Sequence, residues 1–201
     1  LLNGHRGSGI GCDCEILLSM DHSYLIGNRA ASLGGAIAAY GNVRVELTHS
    51  SLENNVAQWQ GGAVWLGSYS ISHLARVHGS GRPSLHLRFA SLKNNKAGWG
   101  GAIYAERAEL QLADSVLSGN LAVFGQDFKF GGIGCDLDSS CGKGGAIFLR
   151  GPAAVLRIHT TEFSENQAST NADHIFAVDL TNLSITTSSF QPFTDGGGRS
   201  L

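Results

Sequence analysis

The sequence predicts an all-β chain wound as a parallel β-helix of about six coils. Three observations carry this. Gly-Gly-Ala followed by Ile or Val begins at Gly34, Gly61, Gly100 and Gly144. A Leu or Phe followed three residues later by Asn recurs in the same order, ending at Asn28, Asn55, Asn95, Asn120 and Asn166. Between these marks, apolar and polar residues alternate with a period of two, the signature of half-buried strands.

The alternation places Val43, Val45 and Leu47 on one side of the chain and Arg44, Glu46 and Thr48 on the other. It returns with Leu110 and Leu112, then with Val155 or Leu156 followed by Ile158 and Phe163. No stretch sustains a helical stripe. A unit of about 20 to 27 residues made of strand and turn cannot bury its apolar face alone, so successive units must stack and share one core. Stacking at about 4.8 Å brings equivalent residues into ladders. The expected inward ladders are Ile37, Val64, Ile103 and Ile147, and Leu25, Leu52, Leu92, Leu117 and Phe163. Ala38, Trp65, Tyr104 and Phe148 follow the first set and are expected to face outward.

Asn28, Asn55, Asn95, Asn120 and Asn166 are expected to stack at one corner. Their amides would satisfy turn backbone there, in a left-handed conformation that asparagine tolerates. The pairs Gly34 and Gly35, Gly61 and Gly62, Gly100 and Gly101, and Gly144 and Gly145 are expected to turn the chain into the next strand with positive φ. The last unit, from Asn171, lacks such a pair.

The first glycine pairs are 27 residues apart and the next gaps are 39 and 44, so loops have been inserted into a basic unit. The insertions span about residues 67–86 and 121–143, at different corners, within a single domain covering 1–201. Variable loops on a regular unit are where such solenoids carry function.

The four cysteines fall into two groups, Cys12 with Cys14 and Cys135 with Cys141. Neither spacing suits structural zinc. Cys12 lies some four coils from Cys135, on the order of 19 Å at strand spacing, beyond disulfide reach. A Cys135–Cys141 bridge is therefore expected. Cys12 and Cys14 would pair with each other or with a preceding segment. Disulfides point to an oxidising compartment, and Asn182-Leu-Ser184 is a glycosylation acceptor that fits one.

Composition closes off several classes. The formal net charge of −2 offers no basic footprint for nucleic acid. No apolar run approaches a membrane span of about 20 residues. Glycine, at 28 of 201 residues, is abundant, but 42% hydrophobic content argues against a disordered linker. No initiator methionine or signal-peptide pattern stands at Leu1, so the chain reads as a mature piece of something longer. Both ends lack amphipathic caps, and further coils, a cap or a partner chain are expected there.

The pairing of GGA[IV] with [FL]xxN over about residues 16–190 resembles the repeats of the polymorphic outer-membrane protein family, surface passenger domains of autotransporter type. The resemblance implies a right-handed parallel β-helix exposed at the cell surface, used in adhesion or as a structural stalk. This chain departs in using Leu more often than Phe, and no translocator barrel is evident.

An enzyme is the competing class, because β-helices also host polysaccharide lyases and hydrolases. Such sites need converging carboxylates with a nearby cation. Asp127, Asp136 and Asp138 with Lys129 and Lys143 are the nearest set, in the second insertion, and read better as a solvated loop. The eight histidines show no H-x3-H or HExxH spacing. Of these, His73, His78 and His86 fall in or beside the first insertion, while His5, His22, His49, His159 and His174 read as scattered surface residues. Ser8 sits among glycines without the context of a phosphate loop, and no threonine ladder suggests ice binding. No cofactor or metal is expected. Trp59, Trp65, Trp99 and Tyr104 occupy matching places around glycine pairs and could meet a glycan or a partner. The reading is thus a non-enzymatic extracellular or cell-surface module presenting loops for adhesion or assembly.

Overall fold

The computed structural model describes residues 2–4, 15–67, 82–123, 141–170, 172–191, 194–195 and 199–200. Every regular element among them is a strand, and three parallel sheets run along the stack, apart from a small antiparallel pair at Thr194–Asp195 and Arg199–Ser200. The chain is a parallel β-helix.

Each coil visits four faces in turn. Ile16–Asp21, Val43–Thr48, Ser84–Arg88 and Glu109–Ala113 lie side by side, continued by the second halves of Ile147–His159 and Ile175–Thr186. A second ladder has six strands, from Tyr24–Ile26 through Ser51–Glu53, Ser91–Lys93, Val116–Ser118 and Glu162–Ser164 to Ser189–Gln191. A third runs through five two-residue strands, from Arg29–Ala30 to Gln167–Ala168. The glycine pairs then lead into the fourth face, Ile37–Gly41, Val64–Gly67, Ile103–Glu106 and the first halves of the two long strands, with Leu2–Gly4 paired at its outer edge. Six rungs on three of these faces make six coils.

The core is built from rungs. Leu18, Val45, Leu85, Leu110, Leu156 and Leu183 are register partners, as are Met20, Leu47, Leu87, Leu112, Ile158 and Ile185. The interior members from Val45 to Leu156 are 0% exposed. Leu156, not Val155, faces inward. Val155 pairs with Glu109 on the outer side. Ile37, Val64, Ile103 and Ile147 form one further inward stack, with Ile175 added, and Leu25, Leu52, Leu92, Leu117, Phe163 and Phe190 form another.

The insertions interrupt two different corners. Gly67 ends one strand of the glycine face and Ser84 begins the next, where uninterrupted coils pass from Gly41 to Val43 or from Glu106 to Glu109. The second interruption separates Ala122 from Ile147. Ser84 to His86, Leu121 and Ala122 are ladder residues and Lys143 forms a bridge with Trp99, so paired structure reaches inside both boundaries read from the sequence. Residues 68–81 and 124–140, with Cys12, Cys14, Cys135, Asp127, Lys129, Asp136 and Asp138, lie outside the described residues.

Candidate functional site

The most ordered constellation is the asparagine corner. Asn55 Oδ1 accepts from both the backbone N and Nδ2 of Asn28, at 2.9 Å each. The same double contact runs from Asn55 to Asn95, from Asn95 to Asn120 and from Asn120 to Asn166, all at 2.8–3.0 Å. Each interior Nδ2 also donates back to a carbonyl of the preceding coil. Asn55 reaches Leu25, Asn95 reaches Leu52, Asn120 reaches Leu92 and Asn166 reaches Leu117. These four asparagines are 0% exposed. One amide thus supplies the acceptor and both donors that the buried corner needs, which no apolar or hydroxyl side chain can do.

The left-handed turn does not fall on these asparagines. Positive φ belongs to the residue before each: Gly27, Asn54, Asn94, Gly119 and Glu165. The ladder residue keeps an ordinary conformation because its amide must point inward along the stack.

The two glycines of each pair are required for different reasons. Gly34, Gly61, Gly100 and Gly144 have φ between +56° and +66°. Gly35, Gly62, Gly101 and Gly145 do not, but a Cβ on each would meet a carbonyl oxygen of the next coil at 2.0–2.1 Å. In the last coil Ala172 takes the positive-φ place, at 57°, and Asp173 the second, where its Oδ1 accepts from the Ala168 amide at 2.9 Å.

A hydroxyl ladder at the corner between the first two faces was not read from the sequence. Ser50 Oγ accepts from Ser23 N, Ser115 Oγ from Ala90 N and Ser188 Oγ from Thr161 N. Each hydroxyl donates to the carbonyl two residues earlier, as in Ser50 to Thr48 and Ser115 to Ala113. The signal was available as the 27-residue spacing of Ser23 and Ser50, which equals that of Asn28 and Asn55.

The outward residues of the glycine face correct an expectation. Ala38, Trp65, Tyr104 and Phe148 do leave the main core, but they form a second apolar cluster and are buried, Trp65 at 5% and Tyr104 at 1% exposure. Tyr104 stacks on Phe148 at 5.1 Å and Phe148 on Phe176 at 5.2 Å, while Trp65 Nε1 donates to Gln60 Oε1 at 2.9 Å. Side chains this enclosed present no ring face to a saccharide. Trp59 and Trp99 remain half-buried, 6.4 Å apart and tilted. They are offset by one position, since Trp99 pairs with Gln60 in register.

The Tyr104 hydroxyl is buried without a hydrogen-bond partner among the described residues, and burial pushes its pKa far above the ordinary phenol range. Tyr104→Phe removes an unsatisfied polar group while keeping the ring stack. It should leave stability unchanged or raise it by up to about 1 kcal/mol. Urea unfolding of the variant checks this, and a loss above about 1 kcal/mol would mean the hydroxyl has a partner after all.

His174 closes the asparagine corner, its Nδ1 3.3 Å from Asn166 Nδ2, beside Phe163 and Phe190. Burial lowers its pKa, outweighing Asp173, and a neutral ring is what accepts from the amide. The unfolded chain therefore takes up this proton first as pH falls. The stability from His174 is complete above about pH 6.5 and is lost as acidification passes the lower folded value. Melting between pH 7.5 and 5.5 should fall less for His174→Gln than for the parent.

At the carboxyl end of the stack the core is open. Leu183, Ile185 and Phe190 are 56%, 43% and 40% exposed, although they continue rungs whose inner members are buried. With Leu156, Ala172, His174, Ile175 and Ala177 they line an apolar depression. Asn182 of the glycosylation acceptor is exposed and pairs with Val155 on the outer side. Cys141 is fully buried and is not a free thiol, but the expected Cys135–Cys141 pairing involves a residue outside those described. No described helix is long and apolar enough to cross a membrane.

The comparisons with known proteins agree with this geometry. The family model of the Chlamydia polymorphic membrane protein (Chlamydia_PMP) repeat matches residues 90–106, the stretch holding Leu92, Asn95, Gly100 and Gly101. The chain is therefore a parallel β-helix that carries a repeat of polymorphic-membrane-protein type. No curated protein and no solved structure matches it.

Proposed function

We propose that the chain is a non-enzymatic, surface-exposed β-helical module, of adhesin type, that holds its two insertions for contact with another protein. The observation that carries this is their placement. One insertion leaves the stack where the glycine-face strand Val64–Gly67 ends, and the other returns just before Ile147, two rungs along the same face. Their described attachment points, Gly67 and Ile147, thus lie at opposite ends of three adjacent parallel strands, a span that one partner protein can cover. The repeat supports the location, since the family whose model matches is that of a polymorphic membrane protein. An extracellular setting also suits the expected cysteine pairing and an exposed glycosylation acceptor.

The open carboxyl end supports a second contact, to further coils or another chain. Leu183, Ile185 and Phe190 would complete their ladders under one more coil. Burying such apolar surface is worth about 25 cal/mol per Å².

The test is to replace residues 124–140 by a short glycine-serine linker and repeat a pulldown from native extracellular material. Loss of one specific protein, with an unchanged circular dichroism spectrum, is the expected result. Retention of a polysaccharide by both chains would instead favour carbohydrate recognition, for which the half-buried Trp59 and Trp99 and the exposed Tyr24 offer rings among the described residues.

A further inference from the structure

The corner that carries the hydroxyl ladder also turns through a positive-φ residue in every coil, and this residue points its side chain outward. Along the stack the position is occupied by His22, His49, Phe89, Asp114, Thr160 and Thr187, with φ between 45° and 50°. At the amino-terminal end this stacks two imidazoles, with ring centroids 4.7 Å apart and planes 21° from parallel. Asp21 precedes the first of them. Its Oδ2 is 2.9 Å from His22 Nδ1 and its Oδ1 3.4 Å from His49 Nδ1. The three donor atoms all lie within 4.8 Å of one another.

We propose that Asp21, His22 and His49 form a surface site for a divalent transition-metal ion of the zinc class, clipping the first coil to the second. Tetrahedral zinc, with bonds of about 2.0–2.2 Å, holds its ligand atoms roughly 3.4 Å apart. The two carboxylate contacts, 2.9 Å from Oδ2 and 3.4 Å from Oδ1, lie at or just inside that spacing, each through a different oxygen. The three ligand atoms lie no more than 4.8 Å apart, so closing on an ion needs only small shifts of exposed side chains. Imidazole nitrogen with one carboxylate oxygen suits zinc, copper or nickel rather than calcium or magnesium, which prefer all-oxygen shells.

The backbone prepares the site. His22 N donates to Thr48 O at 3.1 Å and His49 N to Arg88 O at 3.0 Å, so the two histidines are held one strand spacing apart. Phe89 stacks on the far side of His49 at 5.0 Å, and the Arg88 guanidinium lies 5.1 Å from the Phe89 ring, which limits where the His49 ring can move. The other rungs place Phe, Asp or Thr at this position, so two imidazoles meet at one end of the stack alone. Without metal, Asp21 accepts from the imidazoles, and these contacts hold its carboxyl below the usual range. Metal replaces the protons on the nitrogens that bind it, so affinity must fall on acidification.

Zinc titration by calorimetry at neutral pH, on the full chain and on His22→Ala and His49→Ala, tests the proposal. Cupric ion observed by electron paramagnetic resonance is the second readout, since two imidazole nitrogens split its signal in a way thiolates do not. We expect one equivalent bound, at least tenfold weaker binding in either variant, and slower hydrogen exchange in Ile16–Asp21 with zinc present. Binding of equal strength in parent and variants, or a copper signal without imidazole nitrogen, would overturn the site. So would the absence of binding at 0.1 mM zinc, taken as roughly the upper bound for a useful surface site.

Discussion

Replacing Asn95 by Leu is expected to cost about 3 to 5 kcal/mol of unfolding free energy, one of the largest effects of any single substitution in this chain. The substitution removes the acceptor for two donors, Asn55 N and Asn55 Nδ2, and the donor to Leu52 O. These groups are buried, so water cannot replace the lost partner without opening the stack. Each orphaned group costs about 1–3 kcal/mol, and the apolar gain of the leucine offsets only part. Asn28→Leu is the control. Asn28 is exposed and donates to Asn55 without accepting from another ladder amide, so its loss should cost no more than about 1 kcal/mol. Urea unfolding monitored by circular dichroism separates the two, and equal effects would refute the cooperative ladder.

Gly101→Ala should be as damaging by a different route, with a loss of about 3 kcal/mol or more. Its backbone conformation suits alanine, but the added Cβ would stand 2.1 Å from Gly145 O and 2.5 Å from Leu121 N. Both are backbone atoms of the next coil, so relief requires parting two coils. Gly27→Ala makes the comparison sharp. Gly27 has φ +68° and nothing within 4 Å of the added atom, so the cost is the left-handed conformation alone, about 1 kcal/mol. Gly27→Asn should cost less, because Asn54 and Asn94 already stand at that position in later coils. Should Gly101→Ala prove milder than Gly27→Ala, conformation rather than inter-coil contact would govern these glycines.

Repetition explains why so much of the fold was legible. In a stacked solenoid each coil meets the next at equivalent residues, so a motif written once per turn reports its own tertiary neighbours. The stacks through Val64 and Ile103, and through Leu52 and Leu92, follow from that logic and are register partners in the structure. Spacing also carried information that went unused. His22 and His49 are 27 residues apart, the same interval as Asn28 and Asn55, yet they look scattered when compared with metal motifs built for helices. The helical rule asks for ligands one turn apart in sequence. A β-helix brings them together one coil apart.

Other features have no local signature. That the left-handed residue precedes each ladder asparagine depends on the amide having to point into the stack. The offset of Trp59 and Trp99 is an exception that the spacing does record, since both follow a ladder asparagine by four residues but Trp59 stands two residues before Gly61 and Trp99 one before Gly100. The burial of Trp65 and Tyr104 depends on surroundings that a two-residue period cannot register, because alternation separates the faces of a strand without saying what lies over each.

The sequence by itself determined the strand period, the coil repeat, the corner asparagines and the paired glycines, because each answers to the residue one coil away. Only the tertiary structure decided which atom of each amide meets which, that the aromatic stripe is enclosed, and that Asp21, His22 and His49 converge. Those outcomes rest on inter-coil register and side-chain direction, which form only when the coils have stacked.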